Sequence, residues 1–382
     1  VMRTAGFFVA LALTAAPVVA QGPQNEGRIW RGTLGATAIT ACFFDQDSRA
    51  GAYYADAVLE PIRLELPDDN APQVVRESRS FDDQTGATWS LAPDADDRIT
   101  GDWHSGDTTL PIRLIAVPAS IPEYGSPCES EAFLAPLLAG GETTAKRASF
   151  DGTDYTELAY AGPKRSGLDD YAVTSFALDR VRPGDAAVNR ALAEALPDGT
   201  AAHLAGQCAG WSMANGSGAA GYLEQAVVPI LITPRWLGVR DSGSSYCGGA
   251  HPNHFTGFAV YDRDSGVEVD PAAWFKSGAL AFYDGEAETE PKAAKRPIAG
   301  LSEALGKAVL AHWPEREDGD ECGMADGFGG SGWQIGLTRD GPVFVQQLPH
   351  VIFACTEEVV LPWAKARPFL SAEGRAVMDS LR

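Results

Sequence analysis

Between residues 28 and 116 the chain is cut into eight short apolar runs, with turn-forming clusters between them and no helical stretch. The runs are WRGTLG, AITACFF, GAYYAD, PIRLEL, VVRESRSF, GATWSL, RITGDW and LPIRLIAV. In two of them the period is explicit. Ile62, Leu64 and Leu66 alternate with Arg63 and Glu65, and Ile112 and Leu114 flank Arg113. A period of two buries one face of a strand and leaves the other in water, whereas a helix repeats its faces every 3.6 residues. Pro67-Asp68-Asp69-Asn70 is one of the clusters that separate the runs, built from residues that favour turns. Short strands joined by tight turns pair antiparallel. An all-β domain at 25–117 is therefore expected, an antiparallel meander or a small barrel.

The pattern then changes. Residues 118–149 read as a connector containing Pro118, Pro122, Pro127, Cys128 and Gly140-Gly141. From 150 to 382 strands and helices mix. FDGTDYTELAY reads as a strand. Asp185 caps a helix whose apolar positions are Val188, Ala191, Leu192, Ala195 and Leu196, and Pro197-Asp198-Gly199 stops it. A second helix from Thr200 places Leu204, Cys208 and Trp211 on one face. A strongly apolar strand runs over 226–233. A helix at about 298–313 aligns Leu301, Leu305, Ala308, Val309 and His312. Arg339-Asp340-Gly341 turns a hairpin between WQIGLT and VFVQQL, and HVIFACTEEVVLP supplies further strands. The expected fold is α+β: an all-β N-terminal part, then a domain with helices packed on an antiparallel sheet.

The first residues follow a different logic. Arg3, the apolar run from Gly6 to Ala16, and Val18-Val19-Ala20 have the order of a secretory signal peptide at 1–20. The run is too short to span a bilayer as a mature helix. No cysteine follows Ala20 directly and no later apolar run reaches membrane length, so a periplasmic or secreted protein without a membrane anchor is expected. Removing Arg3 leaves 29 basic against 51 acidic residues, a net charge of −22. That excess repels nucleic acid and anionic lipid; it reads first as a solubility device, and it would also favour a basic partner. Six cysteines in an oxidising compartment imply three disulfides. Proximity in sequence pairs Cys42 with Cys128, Cys208 with Cys247 and Cys322 with Cys355.

Chemistry-bearing residue types concentrate in residues 244 to 275, SSYCGGAHPNHFTGFAVYDRDSGVEVDPAAWF. Cys247, His251 and His254 form a conceivable zinc half-site. An oxidised cysteine is a poor ligand, Pro252 separates the histidines, and no second pair lies nearby. No metal and no cofactor is assigned. Gly248 and Gly249 suit a turn with positive φ, and His251 suits the backbone groups of that turn. Asp264-Ser265-Gly266 makes the next hairpin. Asp270 and Pro271 start a short helix that sends Trp274 and Phe275 into the core.

Tyr246-x-Gly248-Gly249-Ala250-His251, the strand end Tyr261-Asp262, the turn through Gly266 and Asp270-x-x-x-Trp274-Phe275 together resemble a bacterial extracytoplasmic domain family of unknown function. That family includes the lysozyme-binding ectodomain of a sigma-factor-regulating receptor and the non-catalytic domain of a peptidoglycan deacetylase. Trp333 to Leu337, Gly341, Pro349-His350-Val351 and Val360-Leu361-Pro362 look like its closing strands, so the resemblance covers roughly residues 150 to 370. Arg31-Gly32-Thr33-Leu34-Gly35, Gly51-Ala52-Tyr53-Tyr54 and Gly101-Asp102-Trp103 resemble a β-repeat often found before this domain. The resemblance implies the fold and a binding role, with Tyr246, Gly248, Gly249 and His251 as signature residues, structural or ligand-facing. It does not imply signalling or hydrolysis, because the receptor's transmembrane and sigma-binding segments and a deacetylase domain have no counterpart here.

Other chemistries find little footing. Gly210-Trp211-Ser212 and Gly330-Ser331-Gly332 lack the frame of a nucleophile elbow. There is no phosphate-binding loop. Glu315, Glu317, Asp318, Asp320 and Glu321 suit a solvated loop. Trp89, Trp103, Trp274 and Trp333 lie in strand or helix patterns and read as core, with a glycan-binding groove as the other reading. The sequence favours an exported, non-catalytic binding protein that recognises a basic protein such as lysozyme, or a cell-wall glycan. The alternatives are a structural envelope protein and a peptidoglycan-active hydrolase dependent on His251 or His350.

Overall fold

The computed structural model describes residues 24–44, 50–65, 74–79, 84–123, 125–164, 168, 170–215, 221–283, 298–314 and 332–381. The leader, the acidic run at 315–321 and Cys322, with its expected bridge to Cys355, lie outside the described residues.

The eight runs are eight strands: β1 (Gln24–Leu34), β2 (Thr37–Phe43), β3 (Gly51–Ala55), β4 (Ile62–Glu65), β5 (Val74–Ser78), β6 (Gln84–Ala95), β7 (Arg98–Ser105) and β8 (Thr108–Pro122). Each pairs with the next, and β1 pairs antiparallel with β8, so the meander closes into a barrel. Its interior holds Trp30, Ile39, Phe43, Tyr53, Leu64, Trp89, Ile112 and Leu114 among others. Closure bends the strands tightly over one another. A Cβ on Gly32 would lie 1.9 Å from the Arg113 carbonyl oxygen, and one on Gly51 2.0 Å from that of Cys42. Only glycine fits these approaches, which is the physical content of the glycines in the N-terminal repeat.

A carboxylate is buried in this interior. Glu77 is 3% exposed. The Tyr53 hydroxyl donates to its Oε1 at 2.6 Å, and the indole nitrogens of Trp89 and Trp103 donate to the same oxygen at 2.7 Å. The Thr85 hydroxyl donates to Oε2 at 3.1 Å. Burial raises the Tyr53 phenol pKa, and the neighbouring Glu77 charge raises it further, so the phenol stays a donor.

Beyond the barrel come α1 (Glu131–Leu138), β9 (Glu142–Phe150), β10 (Thr153–Ala161), β11 (Tyr171–Leu178), α2 (Asp185–Ala193) and α3 (Leu204–Asn215). β12 (Tyr222–Ile232), β13 (Trp236–Tyr246), β14 (Asn253–Asp262) and β15 (Val267–Glu268) follow. β9 to β15 form one seven-stranded sheet in sequence order. All neighbours are antiparallel except β11 and β12, which are parallel because α2 and α3 carry the chain across between them. β16 (Leu280–Phe282), β17 (Ile298–Leu301), β18 (Trp333–Leu337), β19 (Pro342–Gln346) and β20 (Val359–Val360) make a second sheet. Phe258 of β14 packs with Val343 and Val345 of β19. Trp236, Val260, Trp274, Trp333 and Phe344 share a larger core with α4 (Glu303–Leu310), α5 (Trp363–Ala366) and α6 (Ala372–Ser380).

Four local expectations are corrected. The helix expected over 298–313 is only α4, because residues 298–301 extend the second sheet and the Ser302 hydroxyl caps the helix start by accepting from Leu305 N. HVIFAC is a 3-10 helix, His350–Cys355, launched by Pro349, and only Val359–Val360 is strand. On α3, Cys208 is buried but Leu204 and Trp211 are 46% and 45% exposed, so they do not share its face. Asp185 is the first residue of α2, after the N-cap Gly184.

The burial of Asp185 has a purpose. Its carboxylate accepts from Arg263 Nε at 2.8 Å and Nη2 at 2.9 Å, and from the backbone N–H groups of Val181 and Arg182. The Arg263 and Asp185 side chains are 4% and 0% exposed. Burial pushes the Asp185 pKa up, but Arg263 and the two backbone donors outweigh it and hold the pKa below the usual carboxylate value.

Two stability predictions follow from these buried carboxylates. Glu77→Ala strands the Tyr53, Trp89 and Trp103 donors, although the Thr85 hydroxyl keeps the Glu77 backbone carbonyl, and should cost about 3–5 kcal/mol. Glu77→Gln keeps an acceptor oxygen and should cost roughly half as much. Urea unfolding followed by tryptophan fluorescence measures both. Asp185→Asn should cost about 3–5 kcal/mol at neutral pH by leaving Arg263 buried without its counter-charge. A depressed folded-state pKa stabilises above the unfolded value and the benefit is lost as pH falls, so the gap between wild type and variant should narrow below about pH 4.

Candidate functional site

β13 ends at Tyr246, and the chain turns before β14 starts at Asn253. Gly248 and Gly249 take φ of +102° and +97°, a region open to glycine at little cost. The Tyr246 hydroxyl donates to the Gly249 carbonyl at 2.8 Å and closes the turn. Cys247 is bonded to Cys208 and so ties the turn to α3. The zinc half-site is thereby excluded as a ligand set, since its cysteine is oxidised. On the barrel side, Arg63 of β4 faces Tyr246. Burial lowers the Arg63 pKa, and Glu65 and Tyr246 partly offset that.

His251 is exposed, and its Nδ1 lies 2.9 Å from the Pro252 carbonyl. That contact makes Nδ1–H the donor, because a carbonyl only accepts. The face of the ring meets His350, from the 3-10 helix in the second half of the fold. The two ring centroids are 4.3 Å apart and the planes differ by 2°. His350 also stacks on His254 at 5.5 Å and 3°, and His254 stacks on Phe353 at 4.7 Å and 17°. Three of the six histidines in the chain and one phenylalanine thus form a column of near-parallel rings. Beside it Val351 and Ile352 are 86% and 40% exposed.

Gln347 fastens the neighbouring strand. Its side-chain nitrogen donates to His254 O at 2.9 Å, and its oxygen accepts from Thr256 N at 3.2 Å. One amide thereby stands in for a pairing strand along the open edge of β14 and blocks further pairing there. The column also lies in uncharged chain. No Asp, Glu, Lys or Arg occurs between Asp241 and Asp262 or between Asp340 and Glu357. In so acidic a protein this is a neutral ledge, and the two charge-free stretches were the sequence signal for it. His254, His350 and Phe353 were outside the expected signature, which brought in only Tyr246, Gly248, Gly249 and His251. Among the described residues no three His, Cys, Asp or Glu converge to hold a metal ion. Parallel stacked rings point their lone pairs in parallel planes, which explains why this trio does not.

Among the described residues the expected disulfides Cys42–Cys128 and Cys208–Cys247 are present, and Cys355 is disulfide-bonded. They fit an extracellular or periplasmic compartment. No helix among the described residues is long and apolar enough to cross a membrane. Trp89, Trp274 and Trp333 are buried and Trp103 half-buried, so these four do not line an open groove.

No family model matches the chain and no curated protein matches it significantly. Among solved structures it is similar to a DUF3298 family protein from Pseudomonas aeruginosa PAO1, at 15% identity and a TM-score of 0.33, over 61% of this chain and 94% of that one. It is also similar to a DUF3298 family member from Bacteroides fragilis NCTC 9343, at 13% identity and a TM-score of 0.35, over 64% of this chain and 98% of that one. Likenesses this distant do not assign the chain to that family or carry a function.

Replacing Cys208 and Cys247 together by alanine opens a bridge with a sequence separation of 39. By loop entropy this should cost about 4 kcal/mol. It should also raise hydrogen exchange in the Tyr246–His251 turn more than in the barrel, which mass spectrometry of the intact protein would show.

Proposed function

We propose that this is an exported, non-catalytic binding protein of the cell envelope, and that the ring ledge is its recognition surface. The observation that supports it is the ledge itself. Flat rings and the exposed Val351 and Ile352 side chains share one neutral patch, and exposed aromatic and apolar side chains in a neutral patch are the usual material of recognition sites. The partner is a basic protein such as a lysozyme, or a cell-wall glycan. The sequence resemblance to a lysozyme-binding ectodomain favours the first. The acidic excess of the chain would steer a basic protein in, and the ledge would hold it.

The test is surface binding of hen lysozyme and of soluble peptidoglycan fragments, at low and at moderate salt. Val351 is largely solvent-exposed, so Val351→Glu should leave the fold intact and weaken the bound partner at least about tenfold. Absence of binding to both partners at low salt would sink the proposal. Binding that ignores Val351→Glu would move the site elsewhere.

A further inference from the structure

The ring column is built from two segments that interleave. His251 and His254 come from the turn and the start of β14, and His350 and Phe353 from the 3-10 helix. Each pair is spaced i, i+3, and the rings alternate in the order His251, His350, His254, Phe353. The helix therefore docks on the hairpin through stacked rings. Val351 and Ile352 face solvent, and Cys355, buried and disulfide-bonded, anchors the far end of the helix.

We propose that this column is a proton-operated latch on the ledge: neutral rings hold the helix on the hairpin, and protonation releases it and disrupts the binding surface. Histidine is the side chain that ordinarily gains charge between pH 8 and pH 5. Two charged rings with centroids 4.3 Å or 5.5 Å apart repel. The partly exposed column gives protons access.

Neither segment carries counter-charge of its own. The charge-free stretches leave neither segment an internal carboxylate. Among the described residues, the hairpin strands carry Arg240 and Asp241 on β13 and Asp262 on β14, all outside the charge-free stretch; Arg63 of β4 lies beside Tyr246, and Glu357 and Glu358 follow the helix. Arg63 adds positive charge. Glu358 pairs with Arg240 at 3.3 Å, and Glu357 precedes it in the chain. Positive charge on two neighbouring rings of the stack thus works against the docking, so falling pH favours opening.

The latch is read without any partner, whereas its effect on binding rests on the function proposed above. Hydrogen exchange of the full chain, corrected for the intrinsic pH dependence of exchange, is compared at about pH 7.5 and about pH 5. Protection of peptides spanning 347–357 should fall about tenfold at the lower pH and recover on return, with barrel peptides unchanged. Equal protection at both values overturns the latch. His350→Phe keeps a flat ring that takes no proton, so it should hold protection at the lower pH. The double variant His251→Phe/His254→Phe, which leaves His350 with no histidine neighbour, serves as the second should the first fail to fold. A full pH response in a folded Phe variant also overturns the proposal. Lysozyme binding is then measured at both pH values. A latch that opens while lysozyme binds at neither pH sinks the binding role alone.

Discussion

The outer wall of the barrel is apolar over β2 and β3, and much of the molecule is arranged to cover it. Cys42, Ala52 and Tyr54 point out of the barrel where polar residues would otherwise meet water, and they are buried under Phe133 and Leu134 of α1. The Tyr54 hydroxyl donates to the Phe133 carbonyl at 3.1 Å, and the two rings lie 5.1 Å apart. Ala205, Ala209 and Met213 of α3 and Tyr171 and Val173 of β11 extend the same core into the seven-stranded sheet. Non-directional burial of this kind favours contact but specifies geometry poorly. The Cys42–Cys128 bridge adds the geometry by tying β2 to the 3-10 helix Pro127–Glu129, against which α3 packs.

A second bridge continues the chain of constraint. Cys208 lies in α3 and Cys247 in the turn after β13, so the barrel, the helix and the ring ledge are connected by two covalent links and one core. This changes the meaning of the Tyr246–His251 motif. Tyr246, Gly248, Gly249 and Cys247 build the turn. His251 is the member that leaves it, and it does so to meet a residue nearly a hundred positions away. The turn and the ring column are divided within six residues.

Strand positions were most legible where one face of the barrel stays wet. In β8 the pattern Ile112, Arg113, Leu114 alternates buried and exposed, and in β4 Leu64 is buried while Arg63 and Glu65 stay partly accessible. In β2 the alternation fades because Cys42 is covered from outside as Phe43 is from inside. The run was still recognisable as a strand from its length and its flanking turns, but which of its faces carried the second core was not. The helix expected over 298–313 failed for a related reason. Leu301 and Leu305 have helical spacing, yet strand pairing claims Ile298–Leu301 and Ser302 sets a new start. A short apolar run fits either period, and the neighbouring strand decides.

The sequence by itself determined the barrel strands, the hairpin at Arg339-Asp340-Gly341, the Asp270 cap with Trp274 and Phe275 behind it, and the pairing of four cysteines. The strands, the hairpin and the cap are local in chain or follow from a short period, so residue order carries them, while the cysteine pairing was matched only by order of proximity along the chain. Only the tertiary structure decided the ledge. His251 and His254 acquire a partner when Pro349 turns HVIFAC into a helix rather than a strand and the second sheet brings it over β14. Ring stacking acts over a few ångströms, and nothing in the linear spacing of residues 254 and 350 records that approach.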